Sequence, residues 1–344
     1  MLTLANGDRI LMSPLMKAMF EPENLANASP ATVSRAGIIY VSDVELGWKP
    51  PVTSWLQRKP AYLRDILTPL FDTYVDKLLV NLRMVYRPLV YNETACTLAA
   101  MRTLMDGCFK EDGVDAGGGG GGAAAQPPLA PEKARKLFLY CLVWSLGGLL
   151  DPKDRPAFDH DVRALSSKAD LPPKGADDDT LFEFTVNEAG EWVHWGKLVQ
   201  RWEYPKAMEN PKFAQLNIPT LDSTRFDALL TRVASIGKST LLVGGPGTAK
   251  TTVINMFMGK FPVEEVASKV ITFSSLTTPG IFQKTMEAAV EKRQGRTFGP
   301  PGGKKMTVFV DDISMPFINE WGDQVRRAAA APLWRTAAPA PGRC

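Results

Sequence analysis

The stretch LLVGGPGTAKTTVINMF, residues 241–257, begins as an apolar run and continues as a helical pattern, with a lysine and two threonines at the junction. It approximates the pattern G-x-x-x-x-G-K-[ST], a loop whose main-chain N–H groups and following helix N-terminus hold phosphates. Such a loop needs a buried strand before it and a helix after it. The apolar run 239–244 predicts the strand and residues 250–261 predict the helix, so the surrounding pattern fits.

The residue types in the loop indicate what each would contact. In a phosphate-binding loop the lysine adds a cation to the phosphates, and the hydroxyl that follows coordinates Mg²⁺. We therefore expect Lys250 to contact phosphate and Thr251 to bind the metal. The predicted nucleotide-binding residues of the loop are Gly244, Gly245, Pro246, Gly247, Thr248, Ala249, Lys250, Thr251 and Thr252. A Gly-rich turn that binds no ligand is the alternative.

The loop departs from the pattern at Ala249, where a glycine is expected. The extra methyl group leaves the main-chain N–H in place. If the residue has helical dihedral angles, the cost is small, whereas a positive φ would cost about 1 kcal/mol or more.

A second motif, MTVFVDDISMP, follows at residues 306–316. An apolar run that ends in two carboxylates is typical of a buried parallel strand whose C-terminal end meets a ligand crevice. We expect Asp311 to bind near the metal and Asp312 to activate the attacking water. Solvated aspartates in a turn are the alternative. The two motifs have the order and spacing of strands one and three of a nucleoside-triphosphatase core, and the absence of an N-K-x-D pattern disfavours a GTPase.

Composition excludes several other classes of protein. The chain has 344 residues, of which 45% are hydrophobic, and its 40 basic and 37 acidic residues are interspersed, so no nucleic-acid-binding surface is expected. Its longest apolar run, about a dozen residues, is shorter than the ~20 that span a membrane. The four cysteines lack C-x-x-C spacing, which disfavours a metal site or a disulfide scaffold and favours a reducing compartment. No secretion signal is visible.

Changes in pattern along the chain predict its domains. Apolar residues at three- and four-residue spacing within 62–84 predict an amphipathic helix or helix pair, with an interruption near Pro69 in either case. Two short strands around an Ala-Gly turn are expected near 181–195. We predict that Trp48, Trp144, Trp192 and Trp195 lie in a hydrophobic core. The predicted division is 1–50, the end of one core; 51–215, a helical domain with a flexible Gly-rich insertion at 112–131; 216–325, the start of a second core; and 326–344, a disordered tail.

Several longer motifs resemble a known family. IPTLDSTRFDALL before the loop, the loop itself, TFGPPGGKKMTVFVDDISMP and NEWGDQV are similar to the first half of the third AAA+ module of dynein heavy chains, most of all axonemal ones. LTLANGDRILMSP, MFEPENLANASPATVSRAGIIYVS and LGWKP resemble the end of the second module's core. CLVWSLGGLLD and GEWVHW resemble its lid domain. The resemblance covers residues 1–325 apart from the glycine insertion.

The resemblance implies an α/β fold of two incomplete P-loop AAA+ cores, each a parallel sheet with flanking helices, joined by a mainly helical lid. It implies ATP and Mg²⁺ as cofactors, and a regulatory nucleotide site in a ring that moves along microtubules. Implied partners are the other AAA+ modules of the same heavy chain, dynein intermediate and light chains, and microtubules indirectly; nucleic acid and membranes are not implied. The implied location is the cytoplasm, cytoskeleton and ciliary or flagellar axoneme.

The resemblance also adds site residues. Ile218, Pro219 and Thr220 would lie against the adenine. Ser29 and Pro30 predict the start of a short helix that presents Arg35, and this position is similar to an arginine finger that reaches the preceding module's nucleotide. A surface arginine is the alternative.

The chain departs from the family pattern in ways that leave three functions open. The usual AAA+ catalytic acid is glutamate, and Asp312 is one methylene shorter, so hydrolysis is expected to be slow. The second module's own phosphate loop does not precede residue 1, and the family pattern ends after Val325. The chain could be an ATP-binding segment of a dynein ring, a non-catalytic structural fragment or truncated gene product, or a free-standing P-loop ATPase.

Overall fold

The structure is a computed structural model with two compact units, residues 1–47 and 48–344. In the second unit it describes residues 48–90, 92–111, 129–173, 179–204, 217–293, 295 and 297–318. In the first it describes 2–3, 8–11, 13, 15, 17, 19–22, 25–26, 28–35, 37–41 and 47. The predicted tail 326–344 and nearly all of the predicted insertion 112–131 lie outside these residues. No helix in the described part of the chain is long and apolar enough to cross a membrane.

The first unit contains a short strand pair and one helix. Strands β1 (Leu2–Thr3) and β2 (Arg9–Ile10) are antiparallel. Helix α1 spans Pro30–Arg35, and the carbonyl of Ser29 accepts a hydrogen bond from the Val33 N–H. The predicted helix is therefore confirmed, and Arg35 is its last residue.

The second unit begins with a helical bundle, by which we mean the elements of residues 48–204. Its helices are α2 (Lys49–Gln57), α3 (Ala61–Met84), α4 (Thr94–Glu111), α5 (Pro131–Leu142), which continues as a π-helical turn at Val143–Gly147, and α6 (Arg155–Leu165). The antiparallel hairpin of β3 (Phe184–Val186) and β4 (Trp192–His194) completes it, as predicted. Gly190, in the connecting turn, has a φ of 81°, a conformation that suits glycine.

Helix α3 shows how the apolar spacing is used. The side chains of Leu63, Leu67 and Phe71 are buried, so the predicted apolar face is confirmed. The predicted interruption at Pro69 is wrong, because the helix runs through it. Proline leaves the carbonyl four residues earlier without its helical donor. Here both Pro69 and Asp65 lie on the exposed face, where water can hydrogen-bond to that carbonyl.

One large hydrophobic cluster fills the bundle. Trp48, Trp144 and Trp195 are all buried in it, and Trp192 packs against it, which confirms the predicted core role of these tryptophans. Phe71 and Phe138 contact each other edge to face with ring centroids 5.1 Å apart. Aromatic pairs in this geometry add stability beyond their buried area.

The segment after residue 216 is an α/β arrangement. Its elements are α7 (Leu221–Ser235), α8 (Lys250–Met258), β5 (Val266–Thr272), α9 (Pro279–Glu287), the hairpin strands β6 (Glu291–Lys292) and β7 (Phe298–Gly299), and β8 (Lys305–Asp311). Strands β5 and β8 pair in parallel, with Thr272 opposite Asp311 at the carboxyl end. The predicted α/β fold with a parallel sheet is thus confirmed. The prediction that β8 is buried holds only for Phe309, since most of the strand is half-buried.

The prediction of a buried strand at 239–244 is wrong for the part of the chain that the structure describes. These residues belong to no β-ladder, and Leu241 and Val243 are exposed, whereas Leu242 packs partly against α8. A strand is defined by main-chain hydrogen bonds to a neighbouring strand, and among the described residues none forms such a bond with this segment.

Helix α7 joins the α/β segment to the bundle. Phe226, Leu229 and Val233 pack against the bundle's large cluster, while Leu230 packs with Val253 and Phe257 of α8. The helix begins with a capping box in which the Ser223 N–H donates to the Thr220 hydroxyl and the Thr220 N–H donates to the Ser223 hydroxyl. One helix therefore contacts both hydrophobic clusters.

Candidate nucleotide site

The loop before α8 is curved by two residues with positive φ. Gly247 has a φ of 74° and Ala249, the residue before the helix, has a φ of 58° and a ψ of 20°. A Cβ atom at Gly244 would lie 3.1 Å from the Thr248 hydroxyl oxygen, so a side chain there would crowd the loop. The glycines at these places therefore allow a tight main-chain curve that ends at a helix N-terminus. Main-chain N–H groups arranged in this way suit an anion.

Ala249 has the costly conformation that the sequence left open. Its dihedral angles are left-handed helical, where the Cβ of an L-residue lies too close to the following carbonyl oxygen. The cost relative to glycine is about 1 kcal/mol. The family pattern's glycine at this position is thus explained by backbone geometry, and this chain adopts the same geometry with strain.

The Lys250 ammonium lies inside the loop. It donates hydrogen bonds to the carbonyl oxygens of Gly244, at 3.0 Å, and Gly245, at 2.6 Å, and it lies 3.3 Å from the Thr248 hydroxyl. The Thr248 hydroxyl in turn donates to the Gly245 carbonyl at 2.9 Å. The lysine therefore bridges the two ends of the loop and places its positive charge within the loop's curve.

Thr251 and Asp311 meet although they are 60 residues apart in sequence. The Thr251 hydroxyl lies 3.1 Å from one carboxylate oxygen of Asp311 and 3.4 Å from the other. The main-chain N–H of Asp312 donates to the same carboxylate at 3.0 Å. Because Asp311 ends β8, the hydroxyl and the carboxylate lie together at the carboxyl edge of the parallel pair, where ligands of α/β sheets bind. Oxygen ligands of these two kinds suit Mg²⁺.

Asp312, the residue directly after β8, is a second residue with a left-handed backbone conformation. Its φ is 53°, and among the described residues only it and Ala249 combine a side chain with a positive φ. Residues held in this region carry strain and cluster at functional sites. Ala249 lies in the loop before α8, and Asp312 directly follows β8, whose last residue contacts Thr251. The sequence pattern places Ala249 in the loop and Asp312 at the end of the strand, and a positive φ was considered only for Ala249.

The other predicted site residues are placed as follows. Ile218 is exposed, Pro219 is half-buried, and the Thr220 hydroxyl is engaged in the cap of α7. Thr252 is exposed in the first turn of α8. The side chain of Arg35 lies outside what the structure describes.

A shallow apolar groove lies at the other end of the parallel pair. It is lined in part by Met258, Phe261, Val266 and Lys304. Because Val266 and Lys305 begin β5 and β8, the groove is at the amino ends of the strands, away from Asp311. The site chemistry is therefore at the opposite edge of the sheet.

Comparison with known proteins matches both parts of the second unit. Residues 205–328 match the family described as P-loop containing dynein motor region, and residues 67–197 match the dynein heavy chain AAA lid domain.

The chain belongs to the dynein heavy-chain family.

Its relatives include axonemal dyneins of algae and mammals. The chain is 58% identical over 325 residues to the dynein gamma chain of the flagellar outer arm of Chlamydomonas reinhardtii. It is 39% identical over 329 residues to human dynein axonemal heavy chain 8, and 33% identical over 354 residues to the dynein-1-beta heavy chain of the flagellar inner arm I1 complex of C. reinhardtii. Each match covers 94% of this chain and 7% or 8% of the relative. The resemblance to axonemal dynein heavy chains is therefore confirmed.

The family membership explains the arrangement of the two parts. An AAA lid followed by a P-loop motor region is the order that the bundle and the α/β segment show along the chain. The exact domain boundaries at 50, 215 and 325, and the roles of individual site residues, stay predictions.

Proposed function

We propose that this dynein segment contributes an ATP-binding site to the motor ring of a longer heavy chain. The observation that carries the proposal is the 3.1 Å contact between the Thr251 hydroxyl and the Asp311 carboxylate. It joins the end of the phosphate loop to the tip of β8, so the two predicted metal ligands lie side by side. Neither a bare Gly-rich turn nor a pair of solvated aspartates requires this contact.

Each residue of the loop has a defined part in this proposal. The main-chain N–H groups of residues 244–251 would hold the phosphates, and Lys250 would exchange its carbonyl partners for phosphate oxygens. Thr251 and Asp311 would hold Mg²⁺, which when bound neutralises charge on the phosphates. The donor set therefore fits a magnesium–nucleotide complex.

Asp312 is the proposed water-activating group. It follows the metal-binding carboxylate directly, and its left-handed backbone turns it away from the strand direction. Because aspartate is one methylene shorter than glutamate, its carboxylate reaches less far toward a water at the phosphate. We therefore propose that ATP is held firmly and hydrolysed slowly, as suits a regulatory site.

Two further roles are proposed from the family. Ile218, Pro219 and Thr220 would lie against the adenine, with the exposed Ile218 as the apolar contact. Arg35, at the end of α1, would reach the nucleotide of the preceding module and stabilise charge on its phosphates.

The proposed setting is a dynein ring in a cilium or flagellum. The relatives named above are flagellar and axonemal heavy chains, and the chain spans only 7% or 8% of their length. We propose the other AAA+ modules of the heavy chain as direct partners. Dynein intermediate and light chains would be partners of the whole complex, and microtubules would be contacted indirectly.

Binding of labelled ATP to the full 344-residue chain in the presence of Mg²⁺ tests the proposal. Replacing Lys250 with Ala removes a charged hydrogen-bond donor, so affinity should fall roughly 10- to 100-fold. Lys238→Ala, which removes an exposed lysine just before the loop, is the matched control and should leave affinity unchanged. Equal affinity of the Lys250→Ala variant and the parent chain would contradict the proposal.

Hydrolysis by the same chain separates a free-standing ATPase from the other two functions. A regulatory or structural segment should bind ATP without appreciable turnover. A free-standing ATPase should turn over, and Asp312→Asn should abolish that turnover while leaving binding intact, since asparagine also tolerates a positive φ.

A further inference from the structure

Two buried thiols meet in the bundle, away from the loop. Cys108 of α4 and Cys141 of α5 are 1% and 0% exposed, and their sulfur atoms are 3.8 Å apart. They are 33 residues apart in sequence, so the absence of C-x-x-C spacing gave no sign of the pair. Among the described cysteines, Cys96 is exposed and has no such neighbour.

A buried arginine from α7 lies over this pair. The Arg232 guanidinium carbon is 4.6 Å from the centre of the Tyr140 ring, and its Nε donates to the Glu111 carboxylate at 3.1 Å. Burial raises the pKa of the Cys141 thiol, and the hydrogen bond to Cys108 raises it further, whereas the charge of Arg232 lowers it. The Cys141 thiol is therefore held protonated in the closed bundle, next to a cation that favours its ionised form.

Helix α7 covers the pair by direct backbone contact. A Cβ atom at Gly107, the residue before Cys108, would lie only 2.3 Å from the main-chain oxygen of Arg232. Lys110, one turn of α4 from Gly107, donates a hydrogen bond to the carbonyl of Ser235 at the end of α7. Access of a reagent to the thiols therefore depends on how firmly α7 is seated on α4.

We propose that Cys108 and Cys141 are an oxidisable dithiol, which a peroxide converts into a disulfide between α4 and α5 at a rate set by the opening of α7. One thiol loses its proton and attacks a peroxide oxygen, which gives a sulfenic acid and releases water. The second thiol then attacks the sulfenic sulfur, forms the S–S bond and releases a second water. Two cysteines thus supply the two electrons that reduce one hydrogen peroxide.

The sulfur atoms are close enough to meet after a short approach. A disulfide needs its sulfurs about 2.04 Å apart, and those of Cys108 and Cys141 are 3.8 Å apart on neighbouring helices. Bond formation therefore requires the two sulfur atoms to approach by about 1.8 Å. Because the bond closes a loop of 33 residues, it should stabilise the bundle and raise its thermal midpoint by on the order of 5 °C.

The test is peroxide treatment of the full chain with Cys96 and Cys344 replaced by Ser. Mass spectrometry should show the loss of two hydrogens and one cross-linked peptide pair containing Cys108 and Cys141. Cys141→Ser is the control and should give a sulfenic or higher oxide on Cys108 without a cross-link. Recovery of both residues as free thiols after oxidation, unfolding and alkylation would overturn the proposal.

The role of α7 is tested by the rate of the same reaction. Lys110→Ala removes the bond to Ser235 at an exposed position, and oxidation should become roughly two- to tenfold faster. Lys77→Ala, at an exposed position of α3, should leave the rate unchanged. Equal rates in the Lys110→Ala and Lys77→Ala variants would show that α7 does not control access.

Discussion

Ala249 is an alanine in a backbone conformation that favours glycine. Its φ of 58° suits glycine, so Ala249→Gly should raise the free energy of unfolding by about 1 kcal/mol. The same substitution at Ala100, an exposed position inside α4, should lower it by about 0.5–1 kcal/mol. Urea unfolding of the two variants measures both values. If both substitutions destabilise the chain to the same extent, the left-handed backbone at Ala249 is refuted.

Asp106 shows how burial sets the contribution of an ion pair to the free energy of unfolding. The Lys59 ammonium is 2.5 Å from the Asp106 carboxylate, with its side chain 1% exposed, and Trp55 donates to the same carboxylate. Asp106→Asn leaves that buried ammonium without a counter-charge, so it should cost about 3 kcal/mol.

The exposed pair of Lys49 and Asp72 serves as the control. Its atoms are 3.8 Å apart and its side chains are 63% and 56% exposed, so Asp72→Asn should change stability by less than about 0.5 kcal/mol. Chemical denaturation compares the two substitutions directly. Similar losses from both would mean that Lys59 is solvated in solution.

At the level of residues, the sequence predicted chemistry better than conformation. The types and spacing of Thr251 and Asp311 were enough to predict that they meet, because phosphate loops use these groups in a fixed order. The positive φ of Asp312 was not predictable, since aspartate is common in ordinary turns and strand ends. The contact of Cys108 with Cys141 was not predictable either, because it depends on how α4 and α5 pack.

Elements were predictable where their signals are local. The apolar spacing of α3 is contained within the helix itself, so its face was predicted correctly, and only the effect of Pro69 was wrong. A strand depends on a partner that is distant in sequence. The apolar run 239–244 therefore predicted a strand, but no described residue pairs with it. Strand β8, in contrast, pairs with β5.

The seam between α4 and α7 gives a prediction at the scale of elements. Gly107→Ala would place a Cβ 2.3 Å from the Arg232 carbonyl oxygen, so the helices must separate at a cost on the order of 2–3 kcal/mol. At Gly280 in α9, a Cβ would meet no atom within 4 Å, so Gly280→Ala should stabilise by about 0.5–1 kcal/mol. Thermal unfolding of both variants checks the opposite signs. An unchanged midpoint for Gly107→Ala would mean that the two helices are not in contact there.

At the scale of the second unit, two hydrophobic clusters share one helix. Val233 of α7 packs against the bundle's cluster, Leu230 belongs to the second cluster with α8, and Phe226 packs against both. Clusters joined by a common rigid element are expected to unfold together. The tryptophans provide a selective probe, because those described, which are Trp48, Trp55, Trp144, Trp192, Trp195 and Trp202, all lie within residues 48–204.

A core substitution in α8, the helix after the phosphate loop, should therefore lower the urea midpoint measured in the bundle. Phe257→Ala removes a buried ring that packs with Leu230 and should cost about 3 kcal/mol. With Trp321 and Trp334 replaced by Phe, tryptophan fluorescence reports the bundle alone, and its urea midpoint should fall with that of the far-ultraviolet circular dichroism. Val270→Ala, at a half-exposed position of β5, should move neither midpoint appreciably. A fluorescence midpoint that stays in place in the Phe257→Ala variant, while the circular dichroism splits into two transitions, would show that α7 does not couple the bundle to the α/β segment.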